Sequence, residues 1–74
     1  MPELPRISGT KAIKVFETLG FAVVRQRGSH VLLRKKDKGC VVPAHKELAI
    51  GTLRSAIRQA GITPDEFVNA YKDK

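Results

Sequence analysis

Three short segments rich in β-branched residues follow one another with only two or three residues between them. Residues 21–27 and 30–36 are separated by Gly28-Ser29, and residues 40–42 follow a second turn, Asp37-Lys38-Gly39. Turns of this length reverse the chain and pair each segment with the one before it. The pattern therefore predicts a three-stranded antiparallel meander, and the rest of the chain must cover it.

A stripe of apolar residues at helical spacing precedes the meander. It predicts a helix over residues 8–19, with Ser8 as the N-cap and Gly20 in the left-handed position that follows the helix. Residues 1–5 are expected to be the only loose end of the chain.

Two further helices are predicted after the meander. Beyond a loop over residues 43–50, a second apolar stripe predicts a helix that begins near Gly51 or Thr52 and ends at Gly61. The sequence Thr63-Pro64-Asp65-Glu66 is a complete capping box with proline at the first helical position, and it predicts a last, short helix.

The order of elements is therefore helix, three antiparallel strands, helix and short helix. It predicts an α+β fold in which the helices cover one face of a small sheet. We expect residues 1–74 to form a single domain, because a chain of 74 residues buries only about 60% of its unfolded surface and supports one modest core.

Alternation along the second strand divides it into two rows of side chains. The more polar row, which we expect to face solvent or a ligand, comprises His30, Leu32, Arg34 and Lys36. The other row comprises Val31, Leu33 and Lys35.

The chain is strongly basic, with 14 Lys and Arg against 7 Asp and Glu and a net charge of +7. Such a charge favours a polyanionic partner, first a nucleic acid and second an acidic protein. The alternative is a solvated surface that binds neither. No helix has the wide apolar face and aromatic anchors of a membrane-surface helix, no apolar run could span a bilayer, and no secretory signal is present.

Cys40 is the only cysteine, and it lies in an apolar run. A lone thiol of this kind fits the reducing cytoplasm, and a small core residue is favoured over a nucleophile. Two histidines and one cysteine without a carboxylate cluster do not make a zinc site. We therefore expect neither a metal nor a cofactor.

The motif Gly28-Ser29-His30 places a histidine among fixed positive charges. Histidine can give and take protons near neutral pH, and neighbouring cations bring it close to phosphates. The combination predicts RNA cleavage without a metal, with His30 as general acid or general base. The structural alternative is a histidine that forms hydrogen bonds within the turn.

Five segments in this order resemble the HicA family of toxins, small ribonucleases of toxin–antitoxin pairs. The resemblance covers nearly the whole chain and is carried by Gly20-Phe21, Gly28-Ser29-His30, Val42-Pro43-Ala44-His45, Gly51-Thr52-Leu53-Arg54-Ser55 and Ile57-Arg58-Gln59-Ala60-Gly61. It implies a fold like the double-stranded-RNA-binding domain, metal-independent cleavage of mRNA, and inhibition by a cognate HicB antitoxin. The family's catalytic histidine corresponds to His30, and a second recurrent histidine corresponds to His45.

Two accessory residues accompany His30. Ser29 either orients His30, bonds a phosphate or simply holds the turn. His45 is either a second proton-transfer group or a loop residue that caps or bonds near the next helix. The predicted RNA-binding residues are Arg25, Arg27, Gly28, Arg34, Lys35, Lys36, Arg54 and Arg58. The last two arginines either bind phosphates or meet acidic groups of the antitoxin.

Two other functions compete with an RNA-cleaving toxin. A non-catalytic module that binds double-stranded RNA by shape would use the same fold. Such a module does not need His30, and its typical site of about 16 base pairs is a long reach for this chain. A DNA-binding accessory protein ranks last, because no predicted helix carries a set of side chains suited to contact base edges.

Overall fold

The structure is a computed structural model that describes residues 3–73. Its elements, in chain order, are α1 (Gly9–Thr18), β1 (Ala22–Arg27), β2 (His30–Lys35), β3 (Lys38–Pro43), α2 (Ile50–Ala60) and α3 (Pro64–Lys72). The strands form one antiparallel sheet in the order β1-β2-β3. The predicted α+β arrangement is confirmed.

The helix ends follow the capping residues of the sequence. The Ser8 hydroxyl accepts a hydrogen bond from the Lys11 backbone N–H at 3.0 Å, so Ser8 is the N-cap of α1. Gly61 ends α2 in the left-handed conformation with φ 73°, and Thr63 and Glu66 form the reciprocal capping box of α3. These predictions are confirmed, although α2 begins at Ile50, one or two residues earlier than expected.

The core lies between the helices and one face of the sheet, which we call the inner face. Phe16 of α1 is fully buried, and its ring contacts Phe21 and Phe67 at centroid distances of 5.6 and 5.3 Å. Leu4 and Ile7 are also buried, so the segment before α1 is packed against the core. The expectation of a loose start is therefore wrong for Leu4, while Met1 and Pro2 lie outside the described residues.

The strand register places three rows of side chains on the opposite face, the outer face. Cross-strand partners share a face, and the outer rows are Arg27, His30 and Pro43, then Arg25, Leu32 and Val41, then Ala22, Arg34 and Gly39. The alternate residues of β2 and β3 point into the core; they are Val31, Leu33, Cys40 and Val42. The predicted division of the second strand is therefore confirmed for residues 30–34.

The second turn differs from its prediction. It consists of Lys36 and Asp37, and β3 begins at Lys38, two residues before the predicted strand. Lys36 takes a left-handed conformation with φ 57°, which a residue other than glycine adopts only uncommonly. Lys36 therefore belongs to the turn and not to the polar row, and Pro43 ends β3 as the partner of His30.

The two edges of the sheet differ. The edge of β3 packs beside α2, where the Gln59 side-chain oxygen accepts a hydrogen bond from the Val41 backbone N–H at 3.2 Å. All six residues of β1 are exposed, and a bulge at Val24 interrupts its pairing with β2. The helices thus cover β2 and β3, and β1 remains the open edge.

Candidate active site

His30 directly follows the two-residue turn, Gly28-Ser29, that joins β1 and β2. Gly28 occupies the turn with φ 56°, a conformation that favours glycine, and a methyl group added there would touch nothing within 4 Å. His30 begins β2, lies opposite Arg27 and Pro43, and is exposed on the outer face. Within residues 3–73 no hydrogen bond involves its ring, so both ring nitrogens are available to a ligand.

His45 lies against the same turn, although the two histidines are 15 positions apart in sequence. Its Nε2 atom is 3.4 Å from the Ser29 hydroxyl oxygen. The backbone on both sides of this contact is fixed, because the Ala44 N–H donates to the Ser29 carbonyl at 2.6 Å and the Gly9 N–H donates to the His45 carbonyl at 2.8 Å. The loop histidine is therefore held beside the Gly28-Ser29-His30 turn by backbone hydrogen bonds.

Gly9 helps to position the His45 segment, and the sequence did not single it out. The first turn of α1 approaches the end of β3 so closely that a methyl group at Gly9 would overlap the Pro43 carbonyl oxygen. Glycine is disfavoured inside helices, and its presence one residue after the cap Ser8 was the available signal. This contact brings α1 against the segment that carries His45.

Three of the predicted cationic residues share the outer face with His30. They are Arg25, Arg27 and Arg34, and the nine residues of the three outer rows include no carboxylate. Between residues 3 and 73 the structure has one ion pair, in which Arg6 and Glu47 lie 3.8 Å apart. The positive field of the outer face is therefore not neutralised by the protein itself, and it favours a phosphate beside His30.

The other four predicted cationic residues lie elsewhere. Lys35 and Lys36 are at the opposite end of β2, and the Lys35 ammonium donates to the Leu19 carbonyl at 2.8 Å. Arg54 and Arg58 flank a pocket of about 280 Å³ between α2 and α3, in the helix layer. The structure thus does not bring these four residues to the face of His30.

Cys40 is confirmed as a core residue. It is buried on the inner face, and burial raises the pKa of its thiol to about 11. The thiol is therefore protonated at neutral pH, which removes it as a nucleophile. Among residues 3–73, no group of three or more His, Cys, Asp and Glu side chains is placed to hold a metal ion.

A comparison with protein families identifies the chain. The family model described as the HicA toxin of bacterial toxin–antitoxin systems matches residues 9–62. The chain belongs to the HicA family of toxins. The matched span of this HicA protein runs from the start of α1 to just beyond α2, and it contains both histidines and every predicted RNA-binding residue. Membership implies an antitoxin partner.

Two further observations concern this HicA chain. A search of curated proteins gave no match. None of the helices described between residues 3 and 73 is long and apolar enough to cross a membrane.

Proposed function

We propose that this HicA toxin is a metal-independent endoribonuclease that cuts mRNA in the cytoplasm, with His30 as a proton-transfer group. The observation that supports it most is the position of His30. Among residues 3–73 its ring makes no hydrogen bond, and it is exposed on a face whose three rows carry three arginines and no carboxylate. A histidine with a merely structural role would be expected to bond its neighbours in the turn.

The chemistry uses a nucleophile that RNA supplies. A general base removes the proton of a 2′-hydroxyl, and the 2′-oxygen attacks the adjacent phosphorus in line. The bond from phosphorus to the 5′-oxygen breaks, and a general acid protonates that oxygen as it leaves. The products are a 2′,3′-cyclic phosphate and a free 5′-hydroxyl, and nearby cations stabilise the charge on the phosphoryl oxygens.

His30 takes one of the two proton-transfer roles, as base or as acid. His45 is the proposed second group, because its Nε2 atom is 3.4 Å from the hydroxyl of Ser29, the residue next to His30. Ser29 orients this pair or bonds the phosphate. Arg25, Arg27 and Arg34 hold phosphates on the outer face, and the backbone of Gly28 can approach the RNA closely because the turn is open.

The remaining cationic residues extend the proposed binding surface. Lys35 and Lys36 contact RNA beyond the end of β2, while Arg54 and Arg58 bind phosphates or acidic groups of a HicB-like antitoxin. An acidic partner would associate rapidly with a chain of net charge +7, and burial of His30 would block cleavage.

The test compares the purified protein with its His30→Ala variant. Both are incubated in EDTA with a mixed-sequence RNA and with a DNA strand of the same sequence. We expect the unmodified protein to cut the RNA only, and the variant to lose at least about 10²-fold in rate. The melting temperature and RNA affinity should be nearly unchanged, because the side chain is exposed.

The accessory residues are tested in the same assay. His45→Ala should reduce the rate by about 10²-fold if His45 transfers a proton, whereas Ser29→Ala should have a smaller effect. Full cleavage by His30→Ala would refute the assignment of His30. Binding without cutting, equal for both proteins, would instead identify a non-catalytic RNA-binding module.

A further inference from the structure

The outer face carries an apolar strip as well as arginines. Leu32 is half-buried there, and Val41 beside it is 39% exposed. These two residues share the middle row with Arg25, between the row of His30 and the row of Arg34. Along β2, the outer face therefore presents two polar positions, His30 and Arg34, that suit a phosphate. The apolar position Leu32 lies between them.

Single-stranded RNA matches this alternation better than a duplex does. Its bases are unstacked, so their flat apolar faces can lie against protein while the phosphates contact cations. A duplex keeps its base faces stacked inside and presents mainly phosphates and 2′-hydroxyls. An apolar strip among arginines would gain nothing from a duplex.

We propose that a single-stranded segment of RNA lies along β2 on the outer face, with its phosphates on Arg25, Arg27 and Arg34 and a base against Leu32 and Val41. The proposal rests on the proposed function and adds the form of the substrate and its path from His30. The four steps from His30 to Arg34 along an antiparallel strand span about 14 Å, so this path holds a segment of a few nucleotides.

The helix layer does not offer such a path. Its predicted cationic residues, Arg54 and Arg58, lie beside α3. Charge complementarity favours RNA on the outer face, since no carboxylate of the chain lies in its three rows.

Two valines form a matched pair of probes. Val41 is 39% exposed on the outer face, and Val23, which pairs with Leu33, is 42% exposed on the opposite face of the sheet. Threonine keeps the branched shape and the preference for strands. Val41→Thr and Val23→Thr are therefore the same chemical change at nearly equal exposure, and they differ in the face of the sheet.

The experiment measures binding by fluorescence anisotropy. The probe is a short 2′-O-methyl RNA, which cannot be cut by attack of the 2′-oxygen, used as a single strand and as a duplex of the same sequence. We expect the unmodified protein to prefer the single strand. Val41→Thr should weaken single-strand binding by about fourfold, the effect of losing one buried methyl group, and should leave duplex binding unchanged. Val23→Thr should change neither.

The outcomes separate this path from the proposed function. Equal binding by both valine variants, or a preference for the duplex, overturns the path, and His30-dependent cleavage of ordinary RNA would still support the enzyme. Binding that depends on Val41 without any cleavage supports the path and overturns the enzyme. If the single-stranded probe does not bind at all, the path is wrong.

Discussion

The two faces of the sheet come from the same three strands and differ in almost every property. On the inner face, Leu33 and Val42 are completely buried and their neighbours are apolar. On the outer face of β2, Arg34 is exposed beside Leu33, and His30 is exposed beside the buried Val31. The alternation of a strand thus separates the residues that hold the fold from the residues proposed to meet RNA.

Substitutions at neighbouring residues should therefore show their effects in different assays. A change on the inner face should act on the free energy of unfolding, and a change on the outer face should act on RNA binding or cleavage. The following predictions test how complete that separation is, in order of decreasing expected effect.

Leu33→Ala and Leu32→Ala compare the faces at adjacent positions. Leu33→Ala removes a fully buried side chain and should lower the free energy of unfolding by about 2–5 kcal/mol. Leu32→Ala should cost about 1 kcal/mol, because the side chain is half-buried. Urea unfolding measures both, and equal costs would show that the outer face contributes to stability as much as the inner face does.

Gly9→Ala probes the place where α1 meets the end of β3. The added methyl group would overlap the Pro43 carbonyl oxygen, so we expect a loss of about 1–3 kcal/mol in the free energy of unfolding. Cleavage should fall as well, because His45 is held through the Gly9 N–H. The control is Gly51→Ala in the first turn of α2, where nothing lies within 4 Å and alanine should be neutral or stabilising.

The pH dependence of stability that Cys40 contributes tests whether water reaches the inner face. Burial raises the pKa of its thiol from 9.0 to about 11. The folded state therefore holds the proton where the unfolded state has lost it, and stability should fall as the pH rises from about 9 to about 11. Urea unfolding across this range should show a smaller fall for Cys40→Ala, and identical pH slopes would indicate a wet or loosely packed core.

The arginine pairs give the smallest expected effect and test the extent of the outer face. Each phosphate contact with a single strand contributes about −0.7 to the slope of log K against log salt. Arg25→Gln combined with Arg34→Gln should therefore make the slope less steep by about 1.4. Arg54→Gln combined with Arg58→Gln should change it less, and an equal change would extend the RNA surface onto α2.

Much of the fold could be predicted because its signals are local. The capping box at Thr63 and Glu66, the cap at Ser8 and the left-handed Gly61 each involve residues within one turn of a helix. The second turn was misplaced for the same reason. Asp37-Lys38-Gly39 has the composition of a turn, but tertiary pairing of Lys35 with Lys38 forces Lys36 into the left-handed conformation instead.

The site was less predictable because its contacts join distant segments. His30 stands out by its motif and its neighbours. The contact of Ser29 with His45 and the approach of Gly9 to Pro43 depend on how α1 and the loop after β3 pack, and no local pattern encodes that packing. Likewise, the spacing of Arg54 and Arg58 places both on one side of α2. Only the packing of α3 shows that this side faces the helix layer and not the outer face of the sheet.

The open edge of β1 has a practical consequence for handling the protein. An unpaired edge can accept a strand from a second copy, and the bulge at Val24 and the nearby arginines oppose this by breaking the register and by repulsion. Repulsion between copies of net charge +7 weakens as salt screens it. The concentrated salt that strips nucleic acid from a basic protein during purification is therefore also the condition under which its copies associate most readily.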